Sequence, residues 1–86
     1  MKCRRKPIEV EAFQWLGDNT TEIKIFGGAS VHIKRYESEW ILYVETPEGI
    51  RCASVEDYII KDENGEYGLC TPSAFERMYE KVGEKY

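Results

Sequence analysis

Residues 39–55, EWILYVETPEGIRCASV, decide the fold of this 86-residue chain. Glu39–Thr46 predicts a strand that is apolar on both faces, a pattern typical of a strand in the interior of a sheet. Pro47-Glu48-Gly49 then predicts a turn, and Ile50–Val55 predicts a returning strand. The stretch therefore predicts an antiparallel hairpin whose first strand has a neighbour on each side.

Alternating residues and turn signals predict further strands outside this hairpin. Asn64-Gly65 is a strong hairpin signal, because a type I′ turn needs positive φ at both central positions. The additional strands predicted in this way are Ile8–Trp15, Ser30–Tyr36, Tyr58–Lys61 and Glu66–Cys70.

Two helices are predicted from capping residues and apolar spacing. Asn19 and Glu22 match a variant of the capping box, and Gly27-Gly28 ends a helix of about two turns. The C-terminal helix starts at Thr71-Pro72 or at Ser73, and Gly83 closes it. Its apolar stripe, expected to pack on the sheet, comprises Phe75, Met78, Tyr79 and Val82.

Length and composition predict a single α+β domain over residues 1–86. We expect a small, mostly antiparallel sheet of five to six strands, with one short helix and one C-terminal helix packed on it. Apolar residues make up 42% and charged residues 33% of the chain, as in globular proteins. No apolar run reaches the ~18 residues that span a bilayer, and the basic N-terminus lacks the apolar core of a signal peptide. A cytoplasmic protein without membrane contact is therefore expected.

Charge and residue types argue against several functional classes. The chain has 16 acidic and 12 basic residues, for a net charge of −4, whereas a domain that binds duplex nucleic acid carries a basic face. His32 is the only histidine, and the three cysteines, expected to be reduced thiols, form no C-x-x-C pair. These patterns support no catalytic residue, metal site or cofactor. We therefore expect a binding protein and not an enzyme.

The 11 aromatic residues exceed what a small core requires. Aromatic residues suit strands, which accounts for most of them, but exposed rings also favour a stacking surface or a subunit interface. Beside Lys61 or an Arg4-Arg5 arm, such rings are suited to hold a base and its phosphate.

Two stretches of the chain resemble small phage and prophage proteins. Residues 5–17, RKPIEVEAFQWLG, are similar to an opening in which an Arg/Lys-Lys-Pro-Val/Ile segment runs into a Glu-Ala-x-Gln-Trp strand. Residues 55–61, VEDYIIK, begin the second stretch, and Glu56 and Asp62 replace glycines that are usual there. Gly68-Leu69 stand where Tyr-Pro is more usual. The second stretch continues with Asn64-Gly65-Glu66-Tyr67, Cys70, Pro72, Phe75-Glu76 and Tyr79-Glu80.

The resemblance implies a phage protein that acts in the cytoplasm of a bacterial host. Small phage α+β domains without catalytic residues often counter host defences, and some of them sequester nucleotide second messengers. The leading hypothesis is a homo-oligomer that sequesters a cyclic or ADP-ribose-derived nucleotide. The residues expected to bind it are Arg4, Arg5 and Lys61 for phosphate, Trp15 and Tyr58 for stacking, and Gln14 for a base edge.

The alternative is a phage protein that binds and inhibits a host protein without any small ligand. That role should depend on Trp40 or a surface tyrosine and tolerate Lys61→Ala and Arg5→Ala. A third possibility, a virion or packaging component, requires self-assembly far beyond a dimer or tetramer.

Overall fold

The computed structural model describes residues 1–3 and 9–80 and shows six antiparallel strands in two sheets. The predicted α+β class is confirmed, whereas the single sheet is wrong, because the strands form two sheets of three. The chain order is β1 (Glu11–Gln14), α1 (Thr20–Gly27), a 3₁₀ turn (Gly28–Ser30), β2 (Val31–Tyr36), β3 (Glu39–Thr46), β4 (Gly49–Ala53), β5 (Tyr58–Lys61), β6 (Tyr67–Cys70) and α2 (Pro72–Met78).

Strand β3 is central in its sheet, as its two apolar faces predicted. It pairs with β2 on one side and β4 on the other, whereas the second sheet has the order β1-β5-β6. Leu42 and Val44 on one face of β3 are fully buried, and Ile41 and Tyr43 on the other face are half-buried. None of the helices in the described ranges is long and apolar enough to cross a membrane.

One core joins the two sheets and α1. The ladder places Phe13 of β1 opposite Ile59 of β5, and Ile59 opposite Leu69 of β6, so that one face of this sheet is apolar. The Tyr67 hydroxyl donates to the Phe26 carbonyl at 2.9 Å, which ties β6 to α1. The buried cluster consists of Trp15, Ile23, Val31, Leu42, Val44, Ala53 and Ile59.

The start of α1 differs from the predicted capping box. Asn19 Oδ1 accepts from the Leu16 backbone N–H and Nδ2 donates to the Gln14 carbonyl, both at 2.9 Å, and no side chain caps the helix. The amide thus braces the loop that follows β1 instead of the helix end, since asparagine readily bonds nearby backbone groups. The helix ends at Gly27, as the glycine pair predicted, and Gly28 has φ 55°.

The loop between β5 and β6 is not a type I′ turn. Gly65 has φ 82°, but Asn64 does not have positive φ. The Asp62 carboxylate instead accepts from the backbone N–H groups of Asn64 and Glu66, each at 2.9 Å. The aspartate side chain therefore organises the loop, as Asx turns do.

Helix α2 begins at Thr71-Pro72, the first of the two predicted starts. The Thr71 hydroxyl accepts from the Ala74 N–H at 3.2 Å. The Phe75 ring stacks on Tyr58 of β5, with centroids 3.8 Å apart and planes 9° apart. Met78 is exposed, so the predicted packing of the whole stripe on the sheet is wrong at that residue. Val82, Gly83 and, at the other end of the chain, Ile8 lie outside the described residues.

Glu56 occupies a conformation that favours glycine, with φ 84°. We expect Glu56→Gly to stabilise the protein by about 0.5–1 kcal/mol in urea unfolding, because relief of the left-handed strain outweighs the added chain entropy. Glu63→Gly is the matched control, since Glu63 lies outside the positive-φ region, and it should destabilise the protein. If the two substitutions changed the free energy of unfolding equally, the backbone of Glu56 would not be strained.

Candidate functional site

Two of the residues predicted to bind a nucleotide, Gln14 and Tyr58, are brought together. They lie directly opposite each other in the β1–β5 ladder. The Gln14 side chain, however, donates through Nε2 to the Glu56 carbonyl at 3.0 Å, and the Tyr58 ring stacks on Phe75. Both groups therefore hold elements of the fold together, which leaves less of each available to a base.

Trp15, predicted as a stacking residue, is instead part of the core. Its side chain is 1% exposed, and its backbone N–H donates to the Asp57 carbonyl at 2.9 Å. The expected stacking role is wrong, because neither face of the ring reaches solvent. The alternation along β1 turns Phe13 and Trp15 together into the core between the sheets.

Lys61 does not converge with Tyr58. The two residues are three positions apart on β5, so their side chains leave opposite faces of the sheet. Lys61 Nζ lies 5.9 Å from the centroid of the Tyr67 ring. It shares a surface cavity of ≈ 390 Å³ with the carboxylates of Glu9, Glu11, Asp62 and Glu63. Arg4 and Arg5, the other predicted phosphate ligands, lie outside the described residues.

Acidic residues also line two other surface cavities in the part of the chain that the structure describes. A cavity of ≈ 300 Å³ between β6 and α2 carries Glu48, Asp62 and Glu66, and one of ≈ 240 Å³ carries Glu45 and Glu66. Acidic walls repel an anion such as a nucleotide phosphate. These cavities suit neutral or cationic groups better than the predicted ligand.

The surroundings of Cys70 and His32 define the state of two side chains that could take part in chemistry. Burial, reinforced by the negative charge of Asp57, raises the pKa of the Cys70 thiol, which keeps it protonated and poorly nucleophilic near neutral pH. His32 Nε2 lies 2.6 Å from Glu45 Oε2 in a solvent-exposed pair. Within residues 1–3 and 9–80, no three His, Cys, Asp or Glu side chains are grouped closely enough to hold a metal ion.

Large apolar side chains are exposed at one end of the molecule, here called the apolar end and formed by Leu16, Trp40 and Val55. Their exposed fractions are 53%, 37% and 58%. A Cβ on Gly17 would lie 3.4 Å from Val55 Cγ2, so the Leu16-Gly17 turn and Val55 are in contact. Trp40 precedes Leu42 by two residues and Val55 follows Ala53 by two, and Leu42 pairs with Ala53. Trp40 and Val55 therefore lie at the same end of the β3–β4 pair.

The apolar end also carries a cation. The guanidinium carbon of Arg35 lies 4.9 Å from the centroid of the Trp40 ring, and the two residues pair across β2 and β3. The sequence also predicted an aromatic ring next to a cation, but with Trp15 or Tyr58 as the ring and Lys61 as the cation. The signal that could have found the pair is the two-residue connection Glu37-Ser38, which joins β2 and β3 as a hairpin and so sets Arg35 opposite Trp40.

A second exposed surface, here called the outer face, is the side of the β2–β3–β4 sheet turned away from the core. Its middle row is His32, Tyr43 and Cys52, which are opposite one another in the ladders. Lys34 and Ile41 form the row on one side, and Glu45 and Ile50 form the row on the other. Ile50 is 66% exposed.

Comparison with known proteins places the chain in no group. It matches no family model, no curated protein and no solved structure. The function is therefore inferred from the apolar end, the outer face and the acidic cavities.

Proposed function

We propose that the protein is a binding protein whose apolar end docks a partner protein, without a small ligand. The observation that carries the proposal is the exposure of Trp40 beside Arg35, with Leu16 and Val55 exposed at the same end of the molecule. Tryptophan and arginine are enriched among the residues that dominate the binding energy of protein interfaces. The resemblance to phage proteins makes a protein of a bacterial host the expected partner.

The chemistry of the apolar end defines the kind of surface that it fits. Soluble proteins seldom expose large contiguous apolar patches unless these are used in binding. Arg35 Nε donates only a long bond, 3.4 Å, to the Glu37 carbonyl, so its guanidinium retains donors for a carboxylate. The partner should therefore present apolar side chains beside an acidic residue.

Electrostatics favours a protein partner over a nucleotide. Lys61 and Tyr58 lie on opposite faces of their sheet, and acidic residues line three surface cavities among the described residues. The nucleotide hypothesis therefore depends on Arg4 and Arg5 for its phosphate contacts. A protein docked on the apolar end needs neither arginine.

A thermal-shift panel separates the two hypotheses. The purified protein is mixed with cyclic di- and trinucleotides, cyclic ADP-ribose isomers and linear nucleotides. A ligand at about 100 times its Kd would add about 2.7 kcal/mol, which raises Tm by roughly 10–20 °C in so small a domain. We expect no such rise. A selective rise would establish the nucleotide hypothesis in place of the proposed function.

Trp40→Ala tests the proposed function directly. The tagged protein captures its partner from host lysate, and calorimetry with the purified partner then measures Kd. We expect Trp40→Ala to weaken binding by about 30-fold or more, the loss of roughly 2 kcal/mol typical of a central interface tryptophan. The fold should survive, because Trp40 lies outside the buried cluster.

The matched control is Ile25→Ala, which truncates a more exposed apolar side chain on α1. This variant should bind the partner as the original protein does. Equal affinity of the Trp40→Ala variant and the original protein would exclude the apolar end as the docking site.

A further inference from the structure

We propose that a second copy of this chain covers the outer face, so that the protein is a two-fold symmetric dimer. This inference concerns a surface other than the apolar end and does not depend on the proposed function. Three observations carry it: the apolar residues of the outer face, the placement of its charges, and its size.

The outer face carries more apolar surface than a solvated face requires. An antiparallel sheet with one face in water normally alternates apolar residues inside with polar residues outside. Here Ile41, Tyr43 and Ile50 lie on the outside, one in each of three successive rows. Neither described helix covers them, because α1 places Ile23 in the core and α2 stacks on Tyr58 of the other sheet.

The charges of the outer face are self-complementary. Lys34 lies in the row on one side of Tyr43, and Glu45 lies in the row on the other side. A two-fold axis in the plane of the interface, running across the strands near Tyr43, exchanges these two rows between copies. Lys34 and Glu45 of the second copy then lie in facing rows on neighbouring strands, twice, as do Ile41 and Ile50, and the two Tyr43 rings meet near the axis. A modest inclination of the axis gives strands that cross at about 30°, the usual angle of aligned sheets.

The size of the outer face fits a weak, specific dimer. Three strands spaced about 4.8 Å apart, each about 20 Å long, present a footprint of roughly 300 Å². Because protruding side chains add accessible surface to this flat footprint, two such faces would bury on the order of 1,000 Å² in total. That area is the lower limit of specific interfaces. The dimer should therefore dissociate on dilution.

Sedimentation velocity over a concentration series up to about 0.5 mM, at low ionic strength, tests the dimer. The original protein should show a reversible monomer–dimer equilibrium. Lys34→Glu and Glu45→Lys each place like charges opposite one another and should weaken association about tenfold or more. The double variant Lys34→Glu/Glu45→Lys restores both opposite-charge pairs and should recover the original Kd to within about threefold.

The controls separate the dimer from loss of fold and from the proposed function. Glu22→Lys reverses an exposed charge on α1 and should leave association unchanged. Thermal unfolding of each variant shows that it is folded, and Trp40→Ala should dimerise normally. A protein that stays monomeric throughout the series, or a double variant as weak as the single variants, overturns the inference without affecting the apolar end.

Discussion

Trp15→Ala is expected to reduce the free energy of unfolding by about 3–5 kcal/mol, the range for truncating a buried aromatic side chain. Trp15 is 1% exposed and heads the fully buried side chains by volume. Its backbone is held from both sides, since its N–H donates to Asp57 and its carbonyl accepts from Glu56. The surroundings therefore have little freedom to collapse into the space that the ring leaves.

The loss is large relative to the total stability, because an 86-residue domain is stabilised by only about 4–13 kcal/mol. Urea unfolding followed by circular dichroism measures it without relying on tryptophan fluorescence. Trp40→Ala is the matched control and should cost about 1 kcal/mol or less, because that ring is already partly in solvent. A loss of less than about 1 kcal/mol for Trp15→Ala would contradict its place in the core.

Gly27→Ala is the second large expected effect, with a loss of about 1–3 kcal/mol. A Cβ at Gly27 would lie only 2.3 Å from Val31 Cγ1, and Val31 is fully buried, so the valine has no room to move away. The backbone is not the cause. Gly27 has φ −96° and ψ −17°, which alanine adopts readily.

Gly68→Ala is the matched control, because no atom lies within 4 Å of the Cβ that it would add. It should leave the stability unchanged or raise it slightly. In a double-mutant cycle, Val31→Ala should relieve the clash, so that the double variant loses less than the sum of the single variants. Additive losses would show that the cause is not the contact between these two residues.

The candidate site could be predicted only as a class of chemistry. An exposed aromatic ring beside a cation was expected, and Trp40 beside Arg35 is such a pair, whereas Lys61 lies near the half-buried ring of Tyr67 and not near Tyr58. The residues chosen from the sequence fail to converge, because alternation on β5 sends Tyr58 and Lys61 to opposite faces. Trp15 is buried and Trp40 is exposed because different elements pack over the two strands. The residue type, which is the same at both positions, could not predict this difference.

Local features of the fold followed from the sequence itself. The two apolar faces of Glu39–Thr46 predicted a central strand, Thr71-Pro72 was one of the two predicted starts of α2, and Gly27-Gly28 predicted the end of α1. Each of these three features depends on the side-chain periodicity or the backbone freedom of a few consecutive residues. The local sequence is therefore enough to predict it.

Only the tertiary structure decided the division into two sheets. Strand β5 pairs with β1 across more than 40 residues, after a turn at Glu56 in a glycine-like conformation separates it from β4. The choice of partner depends on the total apolar area that the whole chain buries, and not on any short stretch. The same long-range packing placed Trp15 in the core and left the outer face uncovered, because α1 and the second sheet pack on the opposite side of the β2–β3–β4 sheet. Trp40 lies on that core side, but near the end of β3, where its ring stays 37% exposed.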